Sequence, residues 1–160
     1  MENTYGTLTQ QSLYEAFGCS YMSDAFRAAV DKLQETDELI FKVLQIADPE
    51  DPERIDLDDR IGAQLADVDR LIELVTRHLP PRLDAVIALN ALVLAVSVPT
   101  NPAHPDTMHD AVEGSVIRWL AARPDGEFRE QIRYLVNRPH KIEAELKKNW
   151  SPVPARPPIR

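Results

Sequence analysis

The chain has 160 residues, 44% of them apolar and 28% charged, with 26 acidic side chains against 18 Lys and Arg and a formal charge of −8. A single cysteine, Cys19, excludes an internal disulfide and a cysteine-based zinc site. Five Gly, with only 2 Trp, 4 Tyr and 4 Phe, argue against a β-sandwich or barrel, which draws on glycine turns and alternating aromatic and β-branched residues.

The first residues, Met1 to Tyr5, have neither a basic start nor an apolar run, so they do not read as a signal peptide and a cytoplasmic location is expected. Thr7 with Gln10, and Ser12 with Glu15, fit capping boxes. They introduce a short helix over about Leu8 to Phe17, closed by Gly18 in a left-handed turn. Cys19 is expected to be a small buried side chain.

Met22, Phe26, Ala29, Leu33, Ile40, Leu44 and Ala47 recur at steps of three, four or seven, one face of a long amphipathic helix. Residues 48–54, Asp-Pro-Glu-Asp-Pro-Glu-Arg, end it and read as an acidic connector. Asp56 or Asp58 is then expected to cap a third helix, whose face is Ile61, Leu65, Val68, Ile72, Val75 and Leu79. Pro80 and Pro81 stop it and begin a fourth.

That fourth segment, Leu83 to Val98, is apolar nearly all round, which predicts a helix in the middle of a bundle. It is short for a membrane span and holds Asp84 and Asn90. Asn90 needs a hydrogen-bond partner if buried and is read as a register-setting residue. A Pro-rich loop, 99–106, leads to a fifth helix with Met108, Val112, Val116, Trp119 and Leu120 facing inward. After the turn at 123–126, the sequence predicts a sixth helix from Glu127 to Asn137, a break at Arg138-Pro139, and a seventh helix to Trp150. Residues 151–160 are Pro-rich and expected to be extended. They include Pro154-Ala-Arg-Pro157, a Pro-x-x-Pro of the form that aromatic grooves recognise, read here as a tail that packs back or stays free.

The fold class that follows is all-α: a single-domain helical bundle of five to seven helices over residues 1–150, with a Pro-rich extended C-terminal tail at 151–160. The third and fourth helices should form its central antiparallel hairpin. The expected core is Phe26, Leu33, Ile40, Leu44, Ile61, Leu65, Val68, Ile72, Val75, Val86, Ile87, Val93, Leu94, Val112, Trp119, Ile132 and Leu146.

Charge is unevenly placed. Residues 1–117 carry 8 Lys and Arg against 21 acids, and residues 118–160 carry 10 against 5. The cations Arg129, Arg133, Arg138, Lys141, Lys147 and Lys148 form the candidate partner-binding set. A pI near 5.0 and the lack of interleaved aromatics argue against nucleic acid, which would have to use these same helices.

The densest titratable group is His104, Asp106, His109, Asp110 and Glu113, spaced so that His109 and Glu113 share a helix face, as a divalent-metal site would require. The Glu-x-x-His pair of di-iron bundles does not occur. His109-Asp110 resembles the adjacent pair of the HD-type phosphohydrolases, with His78 as an upstream histidine. However, a Pro-rich loop stands where that family has an apolar run, and Asp125 follows too closely, so the family is not assigned. No nucleophile elbow, phosphate loop or dinucleotide fingerprint is spelled, and no catalytic residue or cofactor is assigned. These features favour a non-enzymatic interaction module of bacterial type (an adaptor, chaperone-like or regulatory partner) with a protein partner or a second copy and no membrane. A metal-dependent helical hydrolase and a nucleic-acid accessory factor are the alternatives.

Overall fold

The computed structural model describes residues 17, 18, 20–97 and 107–149. Within them the protein is all-helical: α1 Ser20–Leu44, α2 Pro52–Arg77, α3 Leu83–Ala95, α4 Thr107–Ala121 and α5 Glu127–Asn149. No strand occurs among the described residues, and none of these helices is long and apolar enough to cross a membrane. The Pro-rich tail, Cys19 and most of the predicted first helix lie outside the described residues, but Phe17 is helical and Gly18 takes the expected positive φ of 78°. The position favours glycine by conformation, with the Arg82 guanidinium lying 3.2 Å from where a Gly18 Cβ would stand.

Successive helices alternate in direction. Arg54 donates to the Ile46 carbonyl, Thr36 meets Gln64 at 2.8 Å and Lys32 meets Asp67, which makes α1 and α2 antiparallel. Phe26 stacks edge-on to Phe128, Asp37 meets Tyr134 and Arg138, and Lys141 lies over Phe41, so α1 and α5 run parallel. Arg129 reaches the Leu120 carbonyl and His140 meets Glu113, setting α4 antiparallel to α5. α3 touches all four other helices.

Helix starts follow local chemistry. Asp51 caps α2 through its carboxylate, which accepts from the Glu53 amide at 2.8 Å, with Pro52 in the first turn. The helix therefore begins several residues before the expected caps Asp56 and Asp58. Pro80 and Pro81 both lie in the linker, and Arg82 precedes α3 in an extended conformation.

The core joins α1 (Phe26, Ala29, Val30, Leu33), α2 (Val68, Val75), α3 (Ala88, Ala91, Leu92), α4 (Val116, Trp119) and α5 (Phe128, Ile132, Leu135). Each large side chain contributes about 1.5–3 kcal/mol by leaving water. Phe17, Phe26, Phe128 and Trp119 form a row at one end, neighbouring rings 5.5–5.9 Å apart. A smaller cluster of Leu39, Val43 and Leu57 packs the α1–α2 hairpin next to its connecting loop.

Three expectations are corrected. First, α2 pairs chiefly with α1 and only lightly with α3, so the central hairpin is not the one the short linker suggests. Second, Val86, Val93 and Leu146 are exposed rather than core, and Ile40, Leu44, Ile61, Leu65, Ile72 and Val112 are half-buried. In α3 a uniformly apolar surface meets neighbours on part of its circumference only. Third, α5 does not break at Arg138-Pro139 but runs through. Proline there removes one helix hydrogen bond, a cost of about 3 kcal/mol in a free helix. Here Pro139 is buried and the residue before it is anchored on two sides.

That anchor is the Arg138 side chain. Its Nε donates to Asp37 Oδ1 at 2.7 Å and its Nη1 donates to the Ala95 carbonyl at 2.7 Å, while the Tyr134 hydroxyl donates to Asp37 Oδ2 at 2.5 Å. One guanidinium thus ties α1, α3 and α5 together. Asp37→Ala should lower stability by about 3–5 kcal/mol, because it leaves a buried cation without its carboxylate. The pair Asp37→Leu with Arg138→Met should cost far less than the sum of the singles. Urea denaturation of Asp37→Ala, of the double variant and of its two component singles checks both, and additive losses would contradict the coupling.

Candidate functional site: a histidine and carboxylate cluster beside a basic helix face

The first turns of α4 carry His109, Asp110 and Glu113. The i, i+4 spacing of His109 and Glu113 puts them on one face. One ligand-type atom from each of the three residues lies within 4.8 Å of the others. The alternation of helix direction then lays α5 against α4, bringing in a residue from 27 positions away. His140 Nε2 donates to Glu113 Oε2 at 2.6 Å. His109 is largely enclosed, Glu113 half-buried, and Asp110 and His140 open to solvent. His104 and Asp106 lie outside the described residues. His109, Asp110 and Glu113 supply one imidazole and two carboxylates, a donor set suited to a borderline divalent cation such as Zn²⁺ or Mn²⁺, and His140 reaches the group through Glu113 alone. Any such ion would displace the His140–Glu113 hydrogen bond. His78, the upstream histidine, sits exposed at the C-cap of α2.

The six candidate partner-binding cations divide in two. Arg129 is mostly buried, donating from Nε to the Leu120 carbonyl and pairing through Nη1 with Asp125 and Glu130 at 3.3 Å. Arg138 is the internal anchor described above. Both hold the fold together. Arg133, Lys141, Lys147 and Lys148 remain on the outer face of α5. Arg133 lies 3.6 Å from Glu130 and Lys147 4.0 Å from Glu143, both in solvent, where such pairs contribute little. Lys141 rests over the Phe41 ring at 5.7 Å. Lys147 and Lys148 also suit the negative end of the helix dipole.

Two polar constellations were not anticipated from the sequence. One is the Asp37–Tyr134–Arg138 group. The other is Asp84 in the first turn of α3, which accepts from Trp119 Nε1 at 2.9 Å and from Arg123 at 2.5 Å, with the same guanidinium over the Trp119 ring. A signal existed for the first: Asp37 interrupts the apolar face of α1 four residues after Leu33, and Tyr134 and Arg138 are one turn apart. Burial, then the hydrogen bond to Asp37 and its charge, push the Tyr134 phenol well above its ordinary value, with Arg138 opposing weakly. Tyr134 and Arg138 both donate to the Asp37 carboxylate, and the group acts as a clamp between α1 and α5.

No family model matches the chain, and neither a curated protein nor a solved structure matches it. The function must therefore be argued from these residues.

A raised phenol means that the native state keeps a proton which the unfolded chain releases. Stability is then intact below the unfolded tyrosine value of about 10 and falls as pH rises beyond it, by about 1.4 kcal/mol per pH unit from this residue. Urea midpoints measured from pH 8 to 11.5 should fall more steeply in the parent than in Tyr134→Phe, and parallel curves would show that the phenol is not clamped.

Proposed function

We propose that this protein is a non-enzymatic interaction module, an adaptor, chaperone-like or regulatory partner, that docks an acidic segment of another protein along the outer face of α5. One observation carries the reading. In a chain of net charge −8, Arg133, Lys141, Lys147 and Lys148 stand together on the solvent side of one helix, two of them facing only exposed, weakly coupled acids. Such a patch steers an acidic partner and fixes its orientation. The clamp and Arg129 add rigidity beneath it, because the opposite face of α5 is held by Arg138 and by the core.

Fluorescence anisotropy with a labelled Glu- and Asp-rich peptide tests it. Binding should weaken steeply with salt and fall about tenfold or more in Arg133→Glu/Lys141→Glu, since two favourable charges become repulsive. An oligonucleotide of equal charge serves as the comparison. Tighter binding of the oligonucleotide would transfer the face to nucleic acid, and no binding of either would remove α5 from the argument.

A second reading is a metal-dependent helical hydrolase, favoured by the close approach of His109, Asp110 and Glu113, with His140 bonded to Glu113. On that reading, Zn²⁺ or Mn²⁺ raises the melting temperature of the parent, and His140→Ala abolishes the rise. An unchanged melting temperature with Zn²⁺, Mn²⁺ and Mg²⁺ rejects it.

A further inference from the structure

We infer that residues 150–160 of this chain fold back across the end of α1 and dock on the acidic first turns of α2, a surface that they match in charge and reach in length. This inference stands apart from the α5 reading, because the occupant is a segment of the chain itself.

The receiving surface lies at the connector end of the α1–α2 hairpin. From Asp48 to Arg60 the chain holds seven acids and two cations, Arg54 and Arg60. Arg54 is engaged with the Ile46 carbonyl at 3.0 Å. Asp48 and Asp51 accept from backbone amides at 2.9 and 2.8 Å. Glu50, Glu53, Asp56, Asp58 and Asp59 are exposed and form no ion pair among the described residues. Ile55 is 48% exposed in their midst, with Asp51 one turn before it and Asp58 and Asp59 one turn after. An apolar side chain flanked by uncompensated carboxylates suits an occupant that is both cationic and apolar.

The path of α5 selects that occupant. Lys141 lies over Phe41 and Arg138 meets Asp37, so α5 runs beside α1 toward the same end of the bundle. α1 stops at Leu44, three residues after Phe41, whereas α5 rises about 12 Å beyond Lys141 to Asn149. α5 therefore ends level with the connector, and α1 stands between it and α2. Two interhelical spacings make that crossing about 20 Å. A Pro-rich extended segment rises about 3.1 Å per residue, which carries Arg156 about 22 Å past Asn149, to the first turns of α2.

The segment supplies what the surface lacks. From Lys147 to Arg160 there are four cations, Lys147, Lys148, Arg156 and Arg160, and no acid. Three residues per turn put Arg156 and Ile159 on one edge of an extended segment. Ile159 then rests on Ile55, with Arg156 toward the connector acids and Arg160 toward Asp58 and Asp59. Each exposed ion pair contributes little by itself. The tether makes up the difference, since a short linker holds its end at an effective concentration in the millimolar range. A contact with a millimolar dissociation constant is about half formed under that condition, while a free basic peptide at micromolar concentration would hardly occupy the surface.

The test uses the full-length protein, uniformly ¹⁵N-labelled, with a nitroxide on Ile159→Cys in a Cys19→Ala background. Backbone amide signals of residues 50–60 should broaden, and those of the turn at 122–126, at the opposite end of the bundle, should not. About 0.5 M salt should reduce the broadening, because the Debye length then falls below about 5 Å. Asp58→Lys/Asp59→Lys should remove most of it and leave the melting temperature near that of the parent, since both residues are exposed. No broadening at 50–60 would overturn the inference, as would equal broadening at both ends or broadening that survives the charge reversal. A nitroxide-bearing unlabelled protein mixed with ¹⁵N-labelled parent should leave residues 50–60 sharp. Broadening there would place the contact between copies and overturn the inference as well.

Discussion

The buried pairing of Asp37 with Arg138 governs how the helices are arranged. Taking both charges out of water is costly, so the pair persists only where hydrogen bonds saturate it. Tyr134 and the Ala95 carbonyl complete that saturation. The consequence is geometric: α1, α3 and α5 are fixed in depth relative to one another at a single point. A purely apolar contact among the same helices would tolerate sliding by a turn. This one does not, because a slipped register would strand a guanidinium and a carboxylate in the core.

That constraint propagates to the surfaces. With Arg138 directed inward, residues about one turn around α5, Arg133, Lys141, Lys147 and Lys148, are directed outward. The continuity of α5 through Pro139 keeps all four on one rigid rod. The same continuity carries His140 to Glu113, so the titratable cluster at the head of α4 depends on the clamp as well. α3, anchored at its end by the Ala95 carbonyl and at its start by Asp84, presents a fixed apolar face rather than a mobile one.

The candidate surfaces differ in what holds them. The basic face needs only the helix. The histidine cluster needs two helices in register, and its His140–Glu113 bond competes with any cation. The exposed side of α3 needs only its own helix.

Much of the helix content could be read directly from the chain. The periodicity of Ile61 to Leu79 and the glycine at 18 are local signals, governed by side-chain spacing and backbone preference, and they correspond to the body of α2 and a left-handed turn, whereas the connector expected over 48–54 is shorter because Asp51 already caps α2. His109, Asp110 and Glu113 were also legible together, because one helical turn unites them. His140 was not, since 27 residues of chain separate it from Glu113 and nothing local records how α5 lies on α4. Nor could spacing distinguish Arg138, which is buried, from Arg133, which is exposed, because the choice depends on Asp37 a hundred residues earlier. The proline beside Arg138 reads locally as a break, and it is long-range packing that overrides it. Likewise an all-apolar α3 announces burial, but how much of its circumference finds neighbours is a property of the assembled bundle. Short-range chemistry sets where helices form, and the pairing of distant charges sets which of their faces remain available.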